Sequence, residues 1–144
     1  MPAKLKKLTE NLKAYQQGVD AVILDIVRDK KGLVLSMNRS QLFAGQDANG
    51  IELSPPYARS TVRIKRRKGD PYDRVTLKDE GDFYASFDLE FGQSEFAVNS
   101  DDQKAVYLER RYGADVYGLT PENTNILREE IKLGMVEKLK EATL

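Results

Sequence analysis

The residues best suited to chemistry fall into two groups of opposite charge. The first is the run RSTVRIKRRK, which places Arg59, Arg63, Lys65, Arg66, Arg67 and Lys68 within ten positions. Such a run can neutralise backbone phosphates or meet an acidic protein surface. The second is the carboxylate cluster Asp79, Glu80 and Asp82, of a kind that can hold a divalent cation or carry a proton. The cluster lies in an apparent turn, where acidic residues are ordinary. Asp101 and Asp102 stand at an expected helix start, where the dipole favours them. The chain has no histidine and no cysteine. This removes Ser/His and Cys/His nucleophile pairs, thiolate ligands and the commonest general base near neutral pH. No phosphate-cradling glycine loop is present. The residues point to binding rather than catalysis; no cofactor and no metal is expected.

Charge is divided along the chain. It totals 23 basic and 23 acidic residues. Residues 1–78 carry 16 Lys/Arg against 8 Asp/Glu, a net +8, and residues 79–144 carry 7 against 15, a net −8. A chain of two opposed halves suits head-to-tail assembly, with one copy's basic segment meeting an acidic surface elsewhere.

These groups need elements to hold them. The length of 144 residues fits one domain, and no apolar run approaches the roughly 20 residues that span a bilayer. The sequence shows no signal-peptide stretch, so a soluble intracellular product is expected. Leu5, Leu8, Leu12, Tyr15, Val19, Val22, Ile23 and Ile26 recur at spacings of three and four, which predicts an amphipathic helix over 1–31. Residues 33–42 fit a strand or a continued helix equally well. Gly45–Gly50 reads as a turn; Asp47 and Asn49 match the start of a calcium loop, but no closing glutamate follows. Residues 45–78 read as a loop carrying an extended basic arm, with Tyr57 and Tyr72 anchoring its ends. Phe83–Phe91 alternates with period two and predicts a strand, and Glu95–Asn99 predicts its hairpin partner. Ser100 and Gln103 form a potential capping box for a helix that ends at Gly113. Thr120-Pro121 opens the last helix, whose apolar stripe is Ile126, Leu127, Ile131, Met135, Val136 and Leu139. The expected fold is α+β, an antiparallel sheet packed against N-terminal and C-terminal helices, with the strand hairpin and C-terminal helices occupying 79–144.

Three segments together resemble the phage virion-morphogenesis and tail-completion proteins. Gly50, Leu53, Pro55, Pro56, Tyr57 and Thr61 match a segment that precedes basic residues in that family. Leu77, Asp79, Gly81, Phe83 and Ser86 match one that leads into a strand. Tyr117, Gly118, Leu119, Thr120 and Glu122 match the lead into the last helix. The resemblance covers roughly residues 40–140. Ala114-Asp115-Val116-Tyr117 stands where many members have an arginine-proline lead. The resemblance implies a neck or tail-completion ring of six or twelve copies at the head–tail junction, through which DNA passes. Its implied partners are other phage neck, portal-adjacent or tail proteins, with non-specific contact to phage DNA and none to membrane. The implied location is the virion, after synthesis in the host cytoplasm. Arg59, Arg63, Lys65, Arg66, Arg67 and Lys68 are then the interface or DNA-facing residues. The alternative is a nucleic-acid-binding accessory protein that uses the same basic run.

Overall fold

A computed structural model describes residues 2–143. It contains six α-helices and one two-stranded antiparallel sheet, the expected α+β class. The apolar spacing of the N-terminus forms helix α1, Ala3–Asp29. At Lys30 the backbone leaves helical geometry, and helix α2 begins at once, over Lys31–Phe43. This settles the open segment in favour of a helix. Val34, Leu35, Met37, Asn38, Gln41 and Leu42 are all buried, a wide face that a half-buried strand with alternating sides does not provide.

Gly45–Gly50 is a turn, as its composition suggests. The Asp47 carboxylate accepts the amides of Asn49 (2.8 Å) and Ile51 (3.0 Å). The calcium-like spacing therefore serves the backbone. The basic run departs from expectation: it is not an arm but helix α3, Arg59–Lys68. Thr61, Val62 and Lys65 make an inward stripe, and Gly69 closes the helix in the left-handed region at φ 81°. The Gly69 amide donates to Arg66 and the Asp70 amide to Lys65, a glycine C-cap. Four cations in the last turn sit at the negative end of the helix dipole.

The expected strand over 83–91 is shorter. Asp82–Ala85 is a helical turn, α4, and β1 is Phe87–Phe91. Phe83 and Tyr84 are consecutive and both buried, which a turn permits and a strand against one core face does not. β1 pairs with β2, Phe96–Ser100, with Leu89 opposite Val98 and Phe91 opposite Phe96. The expected capping box at Ser100 is absent, because Ser100 ends β2. Its hydroxyl accepts the Asp102 amide, the Asp102 carboxylate accepts the Lys104 amide, and helix α5 begins only at Ala105 and runs to Tyr112. Thr120 caps helix α6, Pro121–Thr143, as expected: its Oγ1 accepts the Asn123 amide at 3.2 Å.

The core gathers Val27, Val34, Leu42, Leu53, Val75, Phe83, Phe87, Val98, Val116 and Leu127. Phe87 packs edge-on to Phe83 (4.9 Å) and Tyr117 (5.6 Å). Two expected apolar stripes are only partly covered. Leu24, Ile26 and Val27 of α1 are buried, but Leu5, Leu8, Leu12 and Tyr15 are 52%, 53%, 59% and 74% exposed. In α6 only Leu127 is buried; Ile126, Val136 and Leu139 are exposed. Periodicity identifies an apolar face, but covering that face needs a partner, which this domain supplies only to the C-terminal part of α1 and to one side of α6.

Candidate functional site: the basic helix and its cleft

Helix α3 sorts its six cations into different roles. At 100° per residue, Arg59, Arg63 and Arg67 fall on one outward row, with Arg66 at its border. All four are exposed. Among the described residues, none of them has a carboxylate within 4 Å. Arg66 lies over the Tyr72 ring at 4.6 Å, a cation–π contact that holds the guanidinium flat against the helix end.

Lys65 does the opposite of what the basic run suggests. It is 6% exposed, so it is not a free interface residue. Its ammonium donates to the Lys78 carbonyl at 2.8 Å and lies 4.9 Å from the Tyr57 ring centre. The aliphatic stem fills the inward stripe while the charge reaches an acceptor. Lys65 therefore fastens α3 to the segment 75–78. Tyr57 fastens it from the other side, because its hydroxyl accepts the amides of Thr76 (2.9 Å) and Leu77 (3.2 Å). The Tyr84 hydroxyl donates to the Thr76 carbonyl. Burial pushes the Tyr84 phenol well above its ordinary value, with Tyr57 adding to the shift and Arg74 opposing it. The anchoring expected of Tyr57 and Tyr72 at the ends of the basic run is present, around a helix rather than an arm.

Lys68 turns toward the carboxylate cluster and meets Asp79 at 3.3 Å. Asp82 faces Lys104 of α5 at 3.8 Å. Between α3, the 77–83 turn and α5 lies an open cleft of about 710 Å³, bordered by Ile64, Asp79, Lys104, Tyr107 and Arg111 among others. Two of its carboxylates, Asp79 and Asp82, thus face lysines, while Glu80 also borders the cleft without an ion pair among the described residues. Among the described residues, no group of three or more Asp/Glu side chains is placed to hold a metal ion. Lys104, Tyr107 and Arg111 join this region although sequence reasoning passed over them. They sit about forty positions from α3, and no linear spacing signals that α5 folds across the cleft.

The arrangement presents a fixed row of positive charge beside a mixed-charge cleft. It can neutralise an anionic surface. No helix of the described residues is long and apolar enough to cross a membrane. No protein-family model, curated protein or solved structure matches the chain.

Proposed function

We propose that the chain is a structural subunit of a tailed-bacteriophage virion, a neck or tail-completion ring protein that works by assembling at the head–tail junction. The reading begins from the ordered motifs at Gly50–Thr61, Leu77–Ser86 and Tyr117–Glu122. The observation that carries it is the row Arg59, Arg63 and Arg67, which has no carboxylate partner among the described residues and sits on a helix tied down by Lys65 and Tyr57. A ring needs two unlike surfaces on each protomer that complement each other. The arginine row is one such surface. The outer face of α6, with exposed Glu122, Glu129, Glu137 and Glu141, is of the opposite sign to the row, although Lys132, Lys138 and Lys140 dilute it. The exposed apolar residues of both terminal helices also favour a protein that works among copies or neighbours.

The test is the mass and shape of the full chain at high concentration, by light scattering and negative-stain microscopy, with cross-linking on assembled particles. Closed rings of six or twelve, with links between α3 and a neighbour, are expected. Monomers in solution together with no inter-protomer links on particles would refute the reading.

A second reading, a nucleic-acid-binding accessory protein, is favoured by the same row. Three arginines four positions apart span about 12 Å, comparable to three to four base-pair steps measured along a duplex axis. It predicts salt-dependent, sequence-independent binding that is lost when the row is removed.

A further inference from the structure

The exposed half of α1 carries a stricter pattern than amphipathicity. Leu5, Leu8, Leu12, Tyr15, Val19, Val22 and Ile26 are separated by 3, 4, 3, 4, 3 and 4 residues, which is the a/d seam of a coiled coil. One end of this seam is already filled. Lys30 meets Glu130 at 3.3 Å, and Ile26 lies against Gly134, so closely that a Cβ there would come within 2.8 Å of it. The two helices therefore run antiparallel. Carried on in this register, Thr143, the last described residue of α6, falls opposite Gln17. Burial follows the same division, since residues 2–18 are all exposed whereas Val19, Ile23, Leu24, Ile26 and Val27 are buried or half-buried; Val22 stays 37% exposed at the edge of the contact. Residues 3–17 extend the same seam past the end of its partner.

We propose that the overhang of α1 pairs antiparallel with the overhang of a second copy of this chain. A two-fold axis beside position 10 sets Leu8 against Leu12 and Leu5 against Tyr15 of the other copy, the a-to-d matching of an antiparallel coiled coil. In that register Ala3 of the second copy reaches the level of Gln17, opposite the last described residue of α6. Charge permits the pairing. The seam's flanking positions are Lys4, Thr9, Asn11, Gln16 and Gly18, and the antiparallel register sets Lys4 beside Gly18. Lys6, Lys7, Glu10 and Lys13 lie on the outer faces. The positive N-terminal end of the incoming helix points at the negative C-terminal end of α6. A parallel pair would instead crowd the lysines of both N-termini together.

The chain has no cysteine, so single introduced cysteines report contacts without ambiguity. Full-length chains carrying Leu8→Cys and, on a differently tagged copy, Leu12→Cys are mixed and oxidised. The mixed 8–12 disulfide is expected in large excess over the 8–8 and 12–12 products. A statistical mixture, or an excess of the like-with-like products, would overturn the proposal. The second arm is Leu8→Glu combined with Leu12→Glu, read by analytical ultracentrifugation and circular dichroism. Both side chains are exposed within their own chain, so helix content and melting should hold while dimerisation weakens by about a hundredfold or more. Undiminished association of that variant, or a monomeric parent chain, would also overturn it. The contact adds to the ring reading without resting on it. A chain that dimerises through α1 but closes no ring removes the ring and supports the pairing. Rings and dimers formed equally well by the doubly substituted chain remove the pairing and leave the ring.

Discussion

Replacing Asn38 by leucine is the perturbation that best probes how this domain is tied together. Asn38 is 0% exposed. Its amide donates to the Val116 carbonyl at 2.9 Å and its oxygen accepts the Gly118 amide at 2.9 Å. One turn further along α2, Gln41 donates to the Gly118 carbonyl and accepts from the Thr120 amide and the Asn123 side chain. The two amides hold the segment that delivers α6 to the core. Leucine keeps the volume but removes both Asn38 bonds and leaves the Val116 carbonyl and the Gly118 N–H without partners, at about 1–3 kcal/mol apiece. The expected loss is about 4 kcal/mol, a large part of the stability of a domain this size. Urea unfolding followed by circular dichroism should show a lower midpoint with an unchanged slope. Asn38→Asp keeps the acceptor but turns a carboxylate toward the Val116 carbonyl. Burial and that carbonyl raise its folded pKa, so its stability should be greatest in mild acid and fall as pH rises. A loss below about 1 kcal/mol for Asn38→Leu would refute the reasoning, since it would mean that the segment finds other partners or water.

The remaining expectations separate surface from scaffold. Arg59→Gln, Arg63→Gln and Arg67→Gln together should leave thermal stability nearly unchanged, because these side chains have no carboxylate partner among the described residues; if DNA is the ligand, the log–log salt slope of binding should shrink by up to about 3. Lys65→Met should cost about 1–2 kcal/mol by stranding the Lys78 carbonyl while leaving that salt slope alone, and equal effects on both measurements would contradict the division of roles within α3. Gly18→Ala should add about 1 kcal/mol, since an added Cβ there meets nothing within 4 Å; a destabilised melt would reveal a contact at this position. The raised Tyr84 phenol contributes stability that is whole below the unfolded tyrosine value of about 10 and is lost as pH rises above it. Melts across this range should fall more steeply for the parent chain than for Tyr84→Phe, which begins about 1 kcal/mol lower through the lost bond to Thr76.

Local signals identified much of this protein without help from its packing. The 3,4 periodicity of α1, the Thr120-Pro121 start of α6, the Asp47 turn and the second half of the Phe83–Phe91 alternation each follow from forces acting within a few residues. The absence of histidine and cysteine likewise limits the chemistry before any fold is known. What the sequence left open depended on partners distant along the chain. The basic run looked like an arm because its few apolar residues set no clear period and a turn around Gly69 and Pro71 follows it. The Lys78 carbonyl and the Tyr57 ring that hold Lys65 and fix the run as a helix are brought in by the fold. The consecutive burial of Phe83 and Tyr84 and the Asn38–Gln41 clamp, eighty residues from the segment it grips, have the same origin. An apolar stripe states that a face must be covered, and only the tertiary structure decides which part of it is covered, because burial belongs to two surfaces rather than one. Here α6 covers the seam of α1 only as far as its own end.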